Sequence, residues 1–195
     1  MMRIITGRAR GVRLVTLEGE NTRPTSERAK EAIFSSLGDF VVGCRVLDLF
    51  AGSGQMGLEA LSRGASSLLL CERARDAADV IRKNIEKTKL TEAELRTADF
   101  SGCLSSLAGK RRFDLVFLDP PYASDCMARA LRGLYEGRLL SEGAIVVCES
   151  RDEKALFAGD EALASLYTVK KTARYGIAWV TYLSPDAERW EEAQV

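Results

Sequence analysis

The segment FDLVFLDPPYAS, residues 113–124, ends an apolar run in an acid, two prolines and an aromatic residue. Pro120 and Pro121 fix the backbone and lack N–H donors, so they stop sheet pairing and leave the carbonyl oxygens of Asp119 and Pro120 as acceptors. Together with the carboxylate of Asp119 and the ring of Tyr122, these oxygens form a receptor for a flat group that carries an NH2. A Pro-Pro turn with an incidental acid is the alternative interpretation.

A second chemical pattern is the glycine-rich segment DLFAGSGQMG, residues 48–57. Gly52, Gly54 and Gly57 fit the G-x-G-x-x-G fingerprint of dinucleotide binding. Glu72 follows about 20 residues later, where an acid binds ribose hydroxyls. A nicotinamide-dependent oxidoreductase is therefore one hypothesis, and glycines that only allow close helix–strand packing are another.

Asp48 favours a different ligand. It closes the strand that we predict at residues 45–49, where a side chain faces the ligand crevice. A pyrophosphate would meet this carboxylate without a nearby cation to offset it. S-adenosylmethionine has a sulfonium, an amino group and a ribose but no phosphate. The segment D-x-F-x-G-x-G, which includes Phe50, Ala51 and Ser53, therefore favours S-adenosylmethionine as the cofactor.

Asp99 and Phe100 follow the third predicted strand of this series, in the segment TADF. Asp99 is placed to accept a hydrogen bond from the adenine amino group, with Phe100 beside the adenine ring. An N-cap for a helix at residues 100–108 explains Asp99 equally well, and both interpretations can hold together.

The D-P-P-Y segment is expected across the same crevice as Asp48, because it follows the fourth strand of a doubly wound sheet. A methyl donor that faces an amine receptor suggests methyl transfer to an exocyclic amine. Acceptance of its N–H hydrogens by Asp119 and the Pro120 carbonyl would favour a tetrahedral nitrogen. Stacking of the base on Tyr122 is worth about 1–3 kcal/mol. Positioning and electrostatic preorganisation would supply most of the rate, without a metal.

The composition excludes several other chemistries. The chain has 195 residues, no His, and five cysteines without a C-x-x-C pair, which excludes His-based triads and most catalytic zinc sites. Apolar residues make up 46% and charged residues 29%, as is typical of a soluble globular protein. Because the sequence shows neither a long apolar run nor a signal-peptide core, we expect a cytoplasmic protein with reduced thiols.

The net charge is zero, but it is unevenly distributed. Residues 1–17 contain no acid and four arginines, which are Arg3, Arg8, Arg10 and Arg13. A basic arm of this kind can bind nucleic-acid phosphates. A solvated hairpin face explains the four arginines equally well.

Alternating strand and helix patterns predict an α/β fold with a doubly wound, mostly parallel sheet and one antiparallel edge strand. The predicted strands are 45–49, 67–71, 94–97, 114–118, 144–149, 167–171 and 177–183, and the predicted helices are 26–37, 55–63, 74–89, 100–108 and 124–135. A small N-terminal β-hairpin would pair residues 3–6 with 12–17. We predict three regions: a hairpin arm at 1–22 that can contact nucleic acid, a methyltransferase domain at 23–185 and an acidic tail at 186–195.

Several segments together resemble the RsmD family of bacterial enzymes: RIITGRARG, TRPTSERAKEAIFSSL, LDLFAGSGQMGLEALSRGA, FLDPPY, CES and RYG. The resemblance covers residues 3 to 183. It implies a Rossmann-like class I methyltransferase with a seven-stranded sheet, which methylates guanine N2 in 16S ribosomal RNA and releases S-adenosylhomocysteine. It also implies that the enzyme needs no metal, that it is a monomer, and that its partner is 16S ribosomal RNA in an assembled or assembling small subunit.

The same resemblance implies roles for single residues. The cofactor contacts would be Asp48, Phe50, Gly52, Gly54, Glu72 and Asp99. The clamp on the target base would be Asp119, Pro120 and Tyr122. Arg23, Pro24 and Thr25 match a segment that would lie over the active site, and Arg8, Arg10 and Arg13 would hold RNA phosphates. The segment at 97–100 matches the family only loosely, and position 122 is Tyr where some relatives have Phe.

Other classes of function stay open at this stage. One is an amino-methyltransferase that acts on adenine N6 in DNA or RNA, or on a protein glutamine amide. DNA enzymes usually add a recognition domain, for which 195 residues leave little room. Glutamine enzymes generally show N-P-P-Y, where this chain has Asp. A non-enzymatic RNA-binding assembly factor is a further possibility, which the intact loop and clamp disfavour.

Overall fold

The computed structural model describes residues 2–16, 27–121, 125–152 and 156–192, with the side chains of residues 191 and 192 left out. The helices are α1 (Glu27–Leu37), α2 (Gln55–Ser62), α3 (Arg75–Thr88), α4 (Phe100–Leu107), α5 (Cys126–Glu136), α6 (Glu161–Ala164) and α7 (Ala187–Glu192), and a short 3-10 helix spans Gly38–Val41. The strands are β1 (Arg45–Asp48), β2 (Ser67–Glu72), β3 (Ala93–Thr97), β4 (Phe113–Leu118), β5 (Leu140–Ser150), β6 (Tyr167–Tyr175) and β7 (Ala178–Pro185).

Residues 1–99 form one compact unit around three parallel strands. β1 pairs with β2 and β2 with β3, in a register that aligns Asp48 with Leu70 and Glu72 with Thr97. The apolar runs of β1 and β2 are buried, as parallel strands covered by helices require. The parallel direction brings the acids that end β1 and β2 to one edge of the sheet.

Residues 100–195 form the other compact unit. β4 and β5 are parallel, whereas β7 runs antiparallel to both β5 and β6. Leu115 and Val116 of β4, Val146 of β5 and Leu183 of β7 have no exposed surface. These residues form the centre of the apolar core of this unit.

The strands follow the order β3-β2-β1-β4-β5-β7-β6 in a seven-stranded sheet. The prediction of a mostly parallel α/β sheet with antiparallel pairing at one side is confirmed. The reversed strand is β7, which lies one position in from the edge, and β6 is the edge strand.

The N-terminal hairpin is much shorter than the predicted strands at 3–6 and 12–17. Among the described residues, its ladder is one antiparallel bridge between Arg3 and Arg13. The N–H groups of Ile5 and Thr6 donate instead to the carboxylate of Glu59 on α2, over 2.7 and 3.0 Å. These two hydrogen bonds hold the segment against α2. We call residues 2–16 the arm.

The C-terminal acidic segment includes a packed helix. Trp190 on α7 is buried, and its ring centroid lies 5.0 Å from that of Tyr135 in an edge-on contact. Asp186 supports the start of α7, since its carboxylate accepts the N–H of Arg189 over 3.3 Å. The apolar surface of Trp190 explains why this segment packs in spite of its acidic composition.

Candidate functional site

The loop between β1 and α2, residues 49–54, turns through two glycines in the left-handed region. Gly52 has φ of +54° and Gly54 has φ of +77°, which other residues adopt only with strain. A Cβ on Gly52 would meet no atom within 4 Å. The backbone at Gly52 therefore has an open face that a ligand can approach closely. We call residues 49–54 the cofactor loop, after the cofactor that the sequence predicts there.

Gly57, the third glycine of the pattern, has a different role. A Cβ at this position would lie 2.6 Å from Cδ1 of Leu68 on β2. Glycine is therefore required so that α2 can pack closely on β2, the role of the third glycine in dinucleotide-binding folds. The packing explanation applies to this glycine, while Gly52 faces open space.

Asp48 is buried at the end of β1, with 5% of its surface exposed. Its Oδ2 accepts the N–H of Gly57 in the first turn of α2, over 3.0 Å. Burial raises the pKa of Asp48 to about 7; the nearby carboxylate of Glu72 adds to this rise, and the hydrogen bond from Gly57 opposes it. The acid thus anchors α2, and a nearby cation would favour its charged form.

Glu72, at the end of β2, holds the cofactor loop by a hydrogen bond to its backbone. Its Oε2 accepts the N–H of Gly52 over 2.9 Å, and its Oε1 accepts the N–H of Ala74 over 2.8 Å. Each carboxylate oxygen has a second lone pair, so Glu72 can still accept hydrogen bonds from hydroxyl groups. The glycine and the acid that were paired on their spacing of 20 residues are therefore in direct contact.

The remaining predicted cofactor residues vary in exposure. Phe50 is half-buried, and Ala51 is buried with its N–H bonded to the carbonyl of Cys71. Ser53 donates from Oγ to the sulfur of Met2 over 3.2 Å. Asp99 is exposed after β3, in the first unit.

Phe100 begins α4 in the second unit, and its ring is buried. The guanidinium carbon of Arg129 lies 5.3 Å from the centre of that ring. A face of Phe100 is therefore occupied by Arg129, which is a cation–π contact.

Sequence reasoning missed Asn84 on α3, which is fully buried. Its Oδ1 accepts the N–H of Val15 over 2.7 Å, and its Nδ2 donates to the carbonyls of Val15 and Ser53 over 3.0 and 2.9 Å. One side chain thus contacts both the arm and the cofactor loop. The signal was present, because Asn84 shares the helical spacing of the buried residues Ala77 and Ile81.

A buried ion pair between α1 and α2 was also missed. Nζ of Lys30 lies 3.3 Å from Oε2 of Glu59, both side chains are fully buried, and Nζ donates to the carbonyl of Arg3 over 2.6 Å. Burial lowers the pKa of Lys30, and the attraction of Glu59 opposes that change. The pair fixes the start of the arm. Lys30 occupies the apolar face of α1, three residues before Ile33, which was the available signal.

The D-P-P segment follows β4 in the second unit. Leu118, the last residue of the strand, is buried, whereas Asp119 is exposed. Pro120 is buried and Pro121 is exposed. The strand thus presents an acid at its carboxyl end and holds the next residue in the protein interior. Tyr122, the predicted stacking ring, lies outside the described residues.

Two of the four arm arginines are in ion pairs. Arg3 pairs with Glu27 over 3.4 Å, and Arg8 pairs with Glu92 over 2.8 Å and lowers the pKa of that carboxyl. Arg10 and Arg13 are both exposed, and neither forms an ion pair within the part of the chain that the structure describes. Arg23, Pro24 and Thr25 lie outside that part.

The described residues contain neither a side-chain cluster that could hold a metal ion nor a helix that could cross a membrane. Within residues 2–16, 27–121, 125–152 and 156–192, no three side chains of His, Cys, Asp or Glu are grouped so that they could hold a metal ion. No helix in those ranges has the length and apolar character needed to cross a membrane.

Comparison with known proteins places these features in a family. The family model described as "Conserved hypothetical protein 95" matches residues 2–183. "Putative rRNA methyltransferase YlbH" of Bacillus subtilis is 35% identical over 181 residues, which are 92% of this chain and 96% of that protein. "Ribosomal RNA small subunit methyltransferase D" of Haemophilus influenzae is 35% identical over 157 residues, 80% of this chain and 81% of that protein.

A solved structure agrees with these matches. "Putative methyltransferase yhhF from Escherichia coli" superposes with a TM-score of 0.82 at 28% identity, over 95% of this chain and 98% of that chain. The resemblance read from the sequence segments is thereby confirmed over nearly the whole chain. This chain belongs to the RsmD family of methyltransferases, the family described as "Conserved hypothetical protein 95".

Proposed function

We propose that this protein is a cytoplasmic enzyme that transfers the methyl group of S-adenosylmethionine to the N2 amine of a guanine in 16S ribosomal RNA. S-adenosylhomocysteine would be the other product. The observation that carries the proposal is the acid-held cofactor loop, in which Glu72 bonds Gly52 beside an open face and Asp48 anchors the helix that follows.

The residues present fit S-adenosylmethionine better than a dinucleotide. Two carboxylates hold the loop, and residues 48–57 contain no Lys or Arg to balance a pyrophosphate. Glu72 would accept the ribose hydroxyls, and Asp99 would accept the adenine amino group. The bound cofactor supplies an electrophilic methyl group on a positively charged sulfur. The negative charge of Asp48 and Glu72 would stabilise that cation.

The clamp would act on the target amine. The Asp119 carboxylate and the Pro120 carbonyl would accept its two N–H hydrogens, and Tyr122 would stack on the base. The nitrogen lone pair would form the new bond to the methyl carbon, and the electron pair of the broken carbon–sulfur bond would stay with the sulfur. The nitrogen then loses one proton, which the Asp119 carboxylate can accept and pass to water. Hydrogen bonding and orientation would provide most of the acceleration.

Two further observations support ribosomal RNA as the substrate. The relatives that match most of this chain are named ribosomal RNA methyltransferases. The arm also carries Arg10 and Arg13, which are available for phosphates. We propose that the enzyme acts as a monomer on the assembled or assembling small subunit, and that Arg23, Pro24 and Thr25 lie near the target base.

The experiment is methyl transfer from labelled S-adenosylmethionine to three substrates offered in parallel: small ribosomal subunits that lack the modification, free 16S RNA, and duplex DNA. The product nucleoside is then identified. Label in N2-methylguanosine at one RNA site is the expected result. Label in adenine, or in a glutamine of a ribosomal protein, would overturn the guanine assignment and keep the cofactor and clamp.

The same experiment also tests a non-enzymatic function. No transfer to any substrate, with S-adenosylmethionine still bound, would favour an RNA-binding assembly factor. The ratio of transfer to subunits and to free RNA shows which form is recognised.

A further inference from the structure

Asn84 connects two parts of the first unit to which the proposed function gives separate tasks. Its Nδ2 donates to the carbonyl of Ser53 in the cofactor loop and to the carbonyl of Val15 at the end of the arm. Ser53 lies between the two left-handed glycines, and the direction of its carbonyl fixes the peptide group that joins it to Gly54. The arm touches the loop a second time, where Ser53 Oγ donates to the sulfur of Met2.

The burial of Asn84 makes these contacts interdependent. If the end of the arm moved away, the buried amide would lose the partner of Oδ1 and one partner of Nδ2, which is costly in an apolar interior. Glu59 and Ser62 on α2 accept the N–H groups of Ile5 and Ala9 in the first half of the arm, and Leu14 donates its N–H to the carbonyl of Met2. Asn84 is thus a buried contact through which the order of the arm's end and the order of the loop favour each other.

We propose that Asn84 is a positioning residue through which RNA bound to the arm strengthens cofactor binding at the loop. This inference rests on the function proposed above. RNA held by Arg10 and Arg13 stabilises the docked arm, the docked arm orders Asn84, and Asn84 orients the carbonyl of Ser53. The coupling is reciprocal, so the cofactor strengthens RNA binding by the same factor. The conformational entropy lost in ordering the loop is then shared between the two ligands.

The test uses the full chain and S-adenosylhomocysteine, which cannot transfer a methyl group. Its dissociation constant is measured by calorimetry with and without saturating 16S RNA. For the unmodified protein we expect RNA to lower the constant at least threefold. Asn84→Asp keeps an acceptor for Val15 and loses both donated hydrogen bonds. It should weaken binding without RNA about tenfold and bring the RNA effect close to onefold.

Thr88→Val is the matched control. Thr88 is buried one turn further along α3, and its hydroxyl bonds only to carbonyls of its own helix in the described structure, those of Asn84 and Ile85. This variant should keep the threefold RNA effect even if its melting temperature falls. An equal loss of coupling in Thr88→Val would reduce Asn84 to a general contributor to α3 and overturn the inference.

A surface variant covers the case in which Asn84→Asp does not fold. Arg10→Gln with Arg13→Gln leaves the buried contacts intact and should flatten the salt dependence of RNA binding. The RNA effect on the S-adenosylhomocysteine constant should then fall with it. An RNA effect of onefold in the unmodified protein overturns the coupling but leaves the proposed function standing. Absence of any binding of S-adenosylhomocysteine would overturn both.

Discussion

Asp48 and Asp119 stand at equivalent places in two regions of the molecule, yet their surroundings are opposite. Asp48 is the last residue of β1 in the first unit, and Asp119 is the first residue after β4 in the second; both strands are apolar, buried and parallel to a neighbour. Asp48 is buried and accepts the N–H of Gly57, whereas Asp119 is exposed. The sequences VLD and FLD at the carboxyl ends of the two strands do not distinguish these environments.

The residues that follow each acid explain the difference. After Asp48 come glycines that allow α2 to begin at once and to return the N–H of Gly57 to the carboxylate. After Asp119 come Pro120 and Pro121, which have no N–H to donate. An acid bonded by its own helix holds a loop in place. The two residues after Asp119 give it no backbone hydrogen bond, and its exposed carboxylate can be reached by another molecule.

The largest effect is expected from Asp119→Ala. If this acid is the acceptor for the target amine, kcat for methyl transfer should fall about a thousandfold, similar to the loss of one preorganised hydrogen-bonding group in other enzymes. The dissociation constant for S-adenosylmethionine should not change. Asp39→Ala, which removes another exposed aspartate, is the control. Unchanged methylation by the Asp119→Ala variant would contradict the clamp mechanism.

Asp48→Asn tests whether the buried acid Asp48 makes the stability of the protein depend on pH. Burial raises the pKa of Asp48 from 3.8 to about 7. In that pH range the folded chain keeps a proton that the unfolded chain has lost, so the unfolded state binds fewer protons and stability falls as pH rises. The amide introduced by the substitution does not titrate. The difference in free energy of unfolding between the variant and the unmodified protein should therefore grow in favour of the variant as pH rises to about 7. The growth should be about 4 kcal/mol at most.

Urea unfolding at several pH values from about 4 to 8 measures this difference. The gap between the two proteins should stop changing above the raised pKa. Stability curves that run parallel across the whole range would show that Asp48 is ionised in the folded state throughout.

Alanine substitution of Gly57 and of Gly52 distinguishes a glycine needed for helix–strand packing from one needed for the approach of a ligand. Gly57→Ala should cost about 1–3 kcal/mol of stability, because its Cβ would meet the buried side chain of Leu68 at 2.6 Å. Gly52→Ala has open space and only a left-handed backbone to overcome, at about 1–2 kcal/mol. It should lose more cofactor affinity than Gly57→Ala. Unfolding and calorimetric titration of both variants give the two quantities, and the reverse order would contradict these assignments.

The smallest effect is expected from Pro121→Ala, which makes the exposed acid more like the buried one. It adds an N–H two residues after Asp119, the position from which a backbone donor can bond an aspartate side chain. This internal hydrogen bond would compete with the target amine, so kcat should fall about threefold to tenfold while cofactor affinity stays the same. A Pro121→Ala enzyme with full kcat would show that the missing donor is unimportant.

Residues in regular patterns could be predicted from the sequence, and long-range polar contacts could not. The alternation of apolar strands and helices located β1, β2 and β4 within about two residues, and it put Glu72 at the correct strand end. Asn84 and Lys30 were missed because each is a polar residue in an apolar helical face, where its partner lies far along the chain.

The same limit explains the differences at the two ends of the chain. The hairpin strands at 3–6 and 12–17 were reasonable from local pattern, but the pairing ends where Gly11 donates to the carbonyl of Ile4, and the N–H of Thr6 donates to Glu59. Residue 17 lies outside the described residues. Helix α7 was missed because four acids outweighed Trp190 in the composition. The strand β5 begins at Leu140, before the predicted start at 144, because the polar residues and Gly143 interrupt its apolar pattern.

The docking of the arm has a consequence for synthesis of the chain on the ribosome. The arm is made before its partners, because Glu59 and Asn84 come 54 and 69 residues after Ile5 and Val15. At about 5–20 residues per second, the arm waits roughly 3–14 s for its last partner to be made. During that delay its apolar residues, Ile4 and Leu14, have no native cover. The arm therefore needs protection from aggregation and proteolysis until α3 has been made.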